Sequence, residues 1–341
     1  MKAAIQVVCV AALVAVWASS ASAVTIETVT VDDINNLPDT EIMFTDATTG
    51  YGSVRYVYKM GKFEVTSRQY RDFLNAVADT DTYGLYNTDM WDESHGCKIE
   101  RTGGSGSYSY SVAADREDRP VNYISWGDAA RFANWMHNGQ PSGPQGPTTT
   151  EDGSYRLNGA VTRADLVVIA RNATATWVIP SEDEWYKAAF HKADGPSGNY
   201  FDYPTSSDTT PTNVLPPIDP GNTATFLAGW VPGPPFYRSE VGDHENSPSP
   251  HGTFDQAGNV WEWNEAVIDP DGGSIANAYR GLRGGDYSNS DGSLHADYRS
   301  YYDPSDEGPF TGMRLAEVPE PATMAMLGLG GLALLRRRRS R

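Results

Sequence analysis

The chain has only two cysteines in 341 residues, Cys9 and Cys97. Cys9 lies inside an apolar N-terminal run and would leave with it. Cys97 would then stand alone, so no intramolecular disulfide could staple the body. Basic residues are also scarce, with 26 Lys and Arg against 44 Asp and Glu, a net charge of −18. That excludes phosphate-backbone binding as the main activity, because such binding rests on Lys and Arg neutralising phosphates, and no nucleic acid is expected as a partner. The six histidines (His95, His137, His191, His244, His251, His295) include no pair at i, i+4 spacing, so no helix presents a two-histidine metal grip. A facial triad would have to be assembled by folding. Long apolar runs are confined to the two ends, and no repeat of fixed period is found. Gly and Pro are spread along the whole body, which points to a loop-rich α+β domain with short helices.

Both ends read as export signals. Lys2 precedes the apolar run 7–18, and Ala21-Ser22-Ala23 is a small-x-small cleavage site, so residues 1–23 read as a secretory signal peptide. At the other end Val318-Pro319-Glu320-Pro321 leads into the apolar run 322–335 and then five arginines, Arg336 to Arg339 and Arg341. Fourteen helical residues reach roughly 21 Å, short of the roughly 30 Å hydrocarbon core, so this short transmembrane segment implies transient membrane contact. The arginines would stay on the cytoplasmic side and leave the body outside. Residues 318–341 resemble a PEP-CTERM sorting signal. The resemblance implies processing by signal peptidase and then by an exosortase-type enzyme. It also implies delivery to the cell envelope, outer surface or extracellular matrix, with exopolysaccharide or envelope components as candidate partners.

Three helices can be placed in the body. Thr66 can cap a segment with Tyr70, Phe73, Leu74 and Val77 on one face. Ser125 can cap a second, with Trp126, Ala129, Ala130 and Ala133 at the same spacing. Ser181, with Glu184 at the reciprocal capping position, opens a third, where Trp185, Ala188 and Ala189 face inward. Residues 138–153 and 204–235 read as loops, and 157–179 as a strand pair or elaborated hairpin. Residues 24–50 form an N-terminal extension leading into the domain at 51–317.

Six blocks, in order, resemble the formylglycine-generating enzyme, or sulfatase-modifying factor, domain. Lys62-Phe63-Glu64-Val65-Thr66 with Gln69-Tyr70 and Phe73 is similar to its opening block. Arg119-Pro120-Val121 with Ser125-Trp126 and Ala129-Ala130 is similar to the second, and Ile179-Pro180-Ser181-Glu182-Asp183-Glu184-Trp185 to the third. Gly258-Asn259-Val260-Trp261-Glu262-Trp263, Arg283-Gly284-Gly285 and Gly312-Met313-Arg314 complete the series. The resemblance implies a C-type-lectin-like variant fold with little regular secondary structure. Trp126, Trp135, Trp185, Trp261 and Trp263 read as core anchors, since aromatics dominate core energetics.

The family's enzymes carry a copper-holding cysteine pair whose positions, counted from Gly285, fall here on Asn289 and Leu294. Neither residue has a thiolate, so formylglycine generation by that route is excluded. A related branch uses histidine-held non-haem iron, supplied largely by a helical-bundle domain for which this chain has no room. What remains is a non-catalytic binding or assembly module, or an oxidoreductase on a different iron or copper site. Polar residues for the latter would come from Tyr287, Asp291, His295, Asp297, Tyr298 and Arg299. The resemblance also implies a structural calcium site, with side-chain oxygens from Asp255 and Glu262 and backbone carbonyls from Gly258 and Val260, a hard-oxygen set. A second family calcium site would begin at Asn213 and Val214, without an Asp to complete it.

Overall fold

Each expected helix starts where a side chain can satisfy the orphan amides of its first turn. In the computed structural model, which describes residues 23–228 and 233–319, Thr66, Ser125 and Ser181 each cap a helix. Gln69, Asp128 and Glu184 return the hydrogen bond to the cap residue's own amide. In chain order the elements are β1 (Thr28–Val31), β2 (Tyr58–Gly61), α1 (Ser67–Val77), α2 (Asp89–Asp92), β3 (Ile99–Thr102) and β4 (Ser109–Val112). There follow α3 (Trp126–His137), α4 (Arg163–Leu166), β5 (Trp177–Val178), α5 (Glu182–Phe190) and β6 (Trp261–Ile268). β7 (Tyr279–Arg283), β8 (Ser300–Tyr302), β9 (Thr311–Gly312) and β10 (Ala316–Glu317) close the series.

The strands form three small sheets, ordered β1-β2-β10-β5, β3-β4 and β8-β7-β6-β9. The first joins both ends of the domain: β10 pairs antiparallel with β2, Ala316 opposite Met60. The extension at 24–50 is therefore part of the body, because its strand β1 pairs along the whole of β2. The apolar faces of α1 and α3 meet in an aromatic cluster, with Phe73 5.2 Å from Phe132 and 5.3 Å from Trp135. All five tryptophans expected as anchors are buried.

Residues 157–179 do not form the expected hairpin. They hold one helical turn, α4, whose start is capped by Thr162, a single bridge between Tyr155 and Arg171, and the two-residue strand β5. Side-chain contacts from elsewhere set this segment, since Arg171 is held by Glu184 and Glu265, and Arg280 bonds the carbonyls of Leu166 and Ile169. The segments at 138–153 and 204–235 are loops over their described residues. Most of the signal sequence (1–22) and the tail from residue 320, including its apolar run, lie outside the described residues. Among the described residues no helix is long and apolar enough to cross a membrane.

Candidate functional site

Five arginines, four of them buried and Arg171 half-buried, pair with acids inside the domain. Arg314 grips Glu262 at 2.7 and 2.9 Å, and the Trp185 indole N–H donates to the same carboxylate at 2.6 Å. Three separate blocks thus converge on one ion pair at the start of β6. Arg283 donates to Glu182 at 2.9 Å and to the carbonyls of Ala296 and Tyr298, and Arg299 bridges Glu182 to Asp46. Arg171 joins Glu184 (2.7 Å) to Glu265 (2.9 Å), and Arg131 holds Glu151 at 2.7 Å. A desolvated carboxylate needs such a partner to stay charged. These ion pairs therefore interlock the loops that carry the blocks.

The expected calcium residues Asp255, Gly258, Val260 and Glu262 lie together at the entry to β6. Asp255 adopts a left-handed backbone (φ 61°), and its Oδ2 accepts the Gly242 amide at 2.6 Å. Burial pushes the Asp255 carboxyl up to about 6, while Gly242 and Arg314 pull it down and Glu262 adds repulsion. Gly258 has no substitute, because a Cβ there would stand 2.1 Å from the Thr225 carbonyl oxygen at a φ of 77°. The sequence did not single out Glu64 as an acid, yet it completes the group. Its Oε2 accepts from Asn259 at 2.9 Å, and its Oε1 is buried without a hydrogen-bond partner. Burial first, then Asp255 and Glu262, hold its carboxyl well above the ordinary range. Three buried acids thus share one guanidinium. Glu262 has both oxygens engaged by Arg314 and Trp185. Asn213 is on the 204–228 loop, where its amide donates to the Phe226 carbonyl at 3.4 Å.

Of the two positions that the resemblance matches to the enzymes' cysteines, Leu294 is buried and Asn289 is half-buried. Leu294 is 1 % exposed and packs in an apolar cluster with Tyr203, Ala224, Phe226 and Ala257. Asn289 accepts the Asp286 amide at 3.1 Å, and its carbonyl accepts from Leu227. The polar residues named around them do not converge. Asp291 is exposed, His295 pairs with Asp297 at 2.9 Å, Arg299 is spent on Glu182 and Asp46, and Tyr287 is buried against Phe310. Cys97 is fully buried, with its thiol pushed up by burial, while the ring of nearby His95 lies 4.3 Å from that of Tyr237, tilted by 40°. A cavity of about 880 Å³ forms a groove between the first described residues and α1, lined by Glu27, Arg68, Gln69, Asp72 and Glu240, with Glu64 on its wall.

Short curled sheets joined by long loops, with the two chain ends paired in one sheet, define the C-type-lectin-like variant fold of formylglycine-generating enzymes. The chain belongs to the family of sulfatase-modifying factor enzyme 1-like domains, which matches residues 51–318, and a PEP-CTERM protein-sorting motif matches 317–339. Among solved structures it is similar to CarF (19% identity, TM-score 0.52, covering 86% of this chain and 99% of that one). It is also similar to variable protein 1 of Treponema denticola (18% identity, TM-score 0.51, covering 86% and 95%). At these identities the likeness speaks for the fold alone. No curated protein matches the chain closely enough to be called a relative. The sorting motif marks an exported protein directed to the cell envelope or surface and processed by exosortase-type machinery.

Proposed function

We propose that this is a surface or extracellular-matrix protein whose sulfatase-modifying-factor-like domain is non-catalytic and serves binding or assembly. The observation that carries this reading is Leu294, an apolar plug at the position where the family's enzymes need a thiolate. Function lives in sites grafted on folds, and here the fold persists without that site. The mixed-charge groove along α1 offers a face for exopolysaccharide or another envelope component. A calcium ion at Asp255 and Glu64, beside Glu262 and the carbonyls of Gly258 and Val260, would relieve the excess of buried negative charge. The alternative reading, an oxidoreductase on non-haem iron or copper, requires a metal site away from Asn289 and Leu294.

The export half of the proposal is tested on protein isolated from native envelope or matrix. Its intact mass should begin at Val24 and lack residues 336–341. A mass that retains the arginine tail would overturn exosortase-type processing.

A further inference from the structure

Away from all the sequence blocks, one cluster of ligating side chains has no assigned partner. Asp33, His191 and His251 each offer one ligand atom, and the three atoms lie within 4.8 Å of one another. They come from three distant parts of the chain. Asp33 follows β1 in a left-handed conformation (φ 56°), with its carbonyl held by Lys187 Nζ at 3.0 Å. His191 ends α5 and bridges to Tyr200, whose ring packs edge-on at 5.2 Å. His251 sits in a tight turn closed by the Gly252 amide on the Ser249 carbonyl, and its ring stacks on His191 at 5.7 Å and 16°.

Each of the three residues also carries a buried polar atom, Asp33 Oδ2, His191 Nε2 and His251 Nε2, with no hydrogen-bond partner among the described residues. Within the cluster Asp33 Oδ2 stands 3.8 Å from His191 Nδ1. Buried polar atoms are nearly always paired, so three unpaired atoms in one cluster call for a common partner. His191 Nδ1 accepts the Ala193 amide at 3.3 Å, so a ligand on Nε2 would displace its proton. The His191 ring is wholly buried, which rules out bulk water as the partner on that side.

We propose that Asp33, His191 and His251 form a three-ligand site for a divalent first-row transition ion of the zinc or ferrous class. Two imidazoles and one carboxylate suit borderline cations, whereas calcium and magnesium want oxygen alone and Cu(I) wants sulfur. Ligand atoms around one such ion stand roughly 3.3 Å apart, so small side-chain rotations close the set. Asp33 precedes residue 51, where the family match begins, so the site is not carried by the family's shared blocks. A bound ion would tie the N-terminal extension to the end of α5 and to the turn at 249–252. The site stands whether or not the domain is catalytic.

Cobalt(II) titration of the chelator-treated protein, read by ligand-field absorption, tests the proposal. One cobalt per chain should bind and be displaced by zinc. His251→Ala and Asp33→Asn, both at half-buried positions, should each weaken binding by roughly tenfold or more. His191→Ala should do the same, with circular dichroism reporting whether it folds. Absence of ligand-field bands, or equal affinity in wild type, His251→Ala and Asp33→Asn, would overturn the site.

Discussion

Asp255 shows how far a single residue can be read. The block Gly258-Asn259-Val260-Trp261-Glu262-Trp263 marks the region, and the resemblance assigns the acids to calcium. The sequence does not reveal that Arg314, 52 positions after Glu262, already neutralises it, nor that Glu64 joins the group from 195 positions before Asn259. The charge imbalance has a measurable consequence. An ordinary Asp titrates near 3.9 when unfolded, whereas burial brings folded Asp255 up to about 6. The folded state therefore holds the proton more tightly, and the stability this group contributes is lost as pH rises from about 4 to about 6. Asp255→Asn keeps an acceptor for the Gly242 amide. It should be more stable than wild type at pH 7 by up to about 3 kcal/mol, with the difference vanishing toward pH 4. Calcium at ~10 mM should raise the wild-type Tm at pH 7 more than magnesium does, and should leave Asp255→Asn nearly unmoved. Urea titrations and melting curves at the two pH values check this. Equal shifts with both ions and in both proteins would remove the specific site and leave only relief of acidic self-repulsion.

At the scale of elements, legibility follows the range of the determining interactions. The three capped helices are written in residues three or four apart, so Thr66, Ser125 and Ser181 announce them correctly. The segment 157–179 misleads because its uneven apolar alternation carries less weight than the arginine contacts that fix it, from Arg280 and through Arg171. The Asp33, His191 and His251 cluster lies beyond sequence reading for the same reason, since no two of its residues share an element or a motif spacing. Ser181 lends itself to a local test. Its hydroxyl accepts the Glu184 amide at 3.1 Å, while Glu184 answers the Ser181 amide at 2.6 Å. Ser181→Ala should cost about 1 kcal/mol in urea denaturation. A loss near zero would mean that Arg171 on Glu184 holds the end of α5 without the cap.

For the whole molecule, two layers of information are separable. The order of six blocks identifies the fold, and the structure shows why those residues suffice: Glu262, Arg314 and Trp185, or Arg283 and Glu182, interlock loops that have little regular structure of their own. The terminal signals identify the destination. Neither layer specifies chemistry, and Asn289 and Leu294 occupy the positions where the family's chemistry would be. The direct test is to incubate the purified mature protein with a sulfatase peptide bearing the target cysteine, copper and oxygen, and to follow the peptide by mass spectrometry. The account predicts no formylglycine above a no-protein control. Turnover above that control would contradict the non-catalytic reading, because no described thiol other than the buried Cys97 exists to carry it.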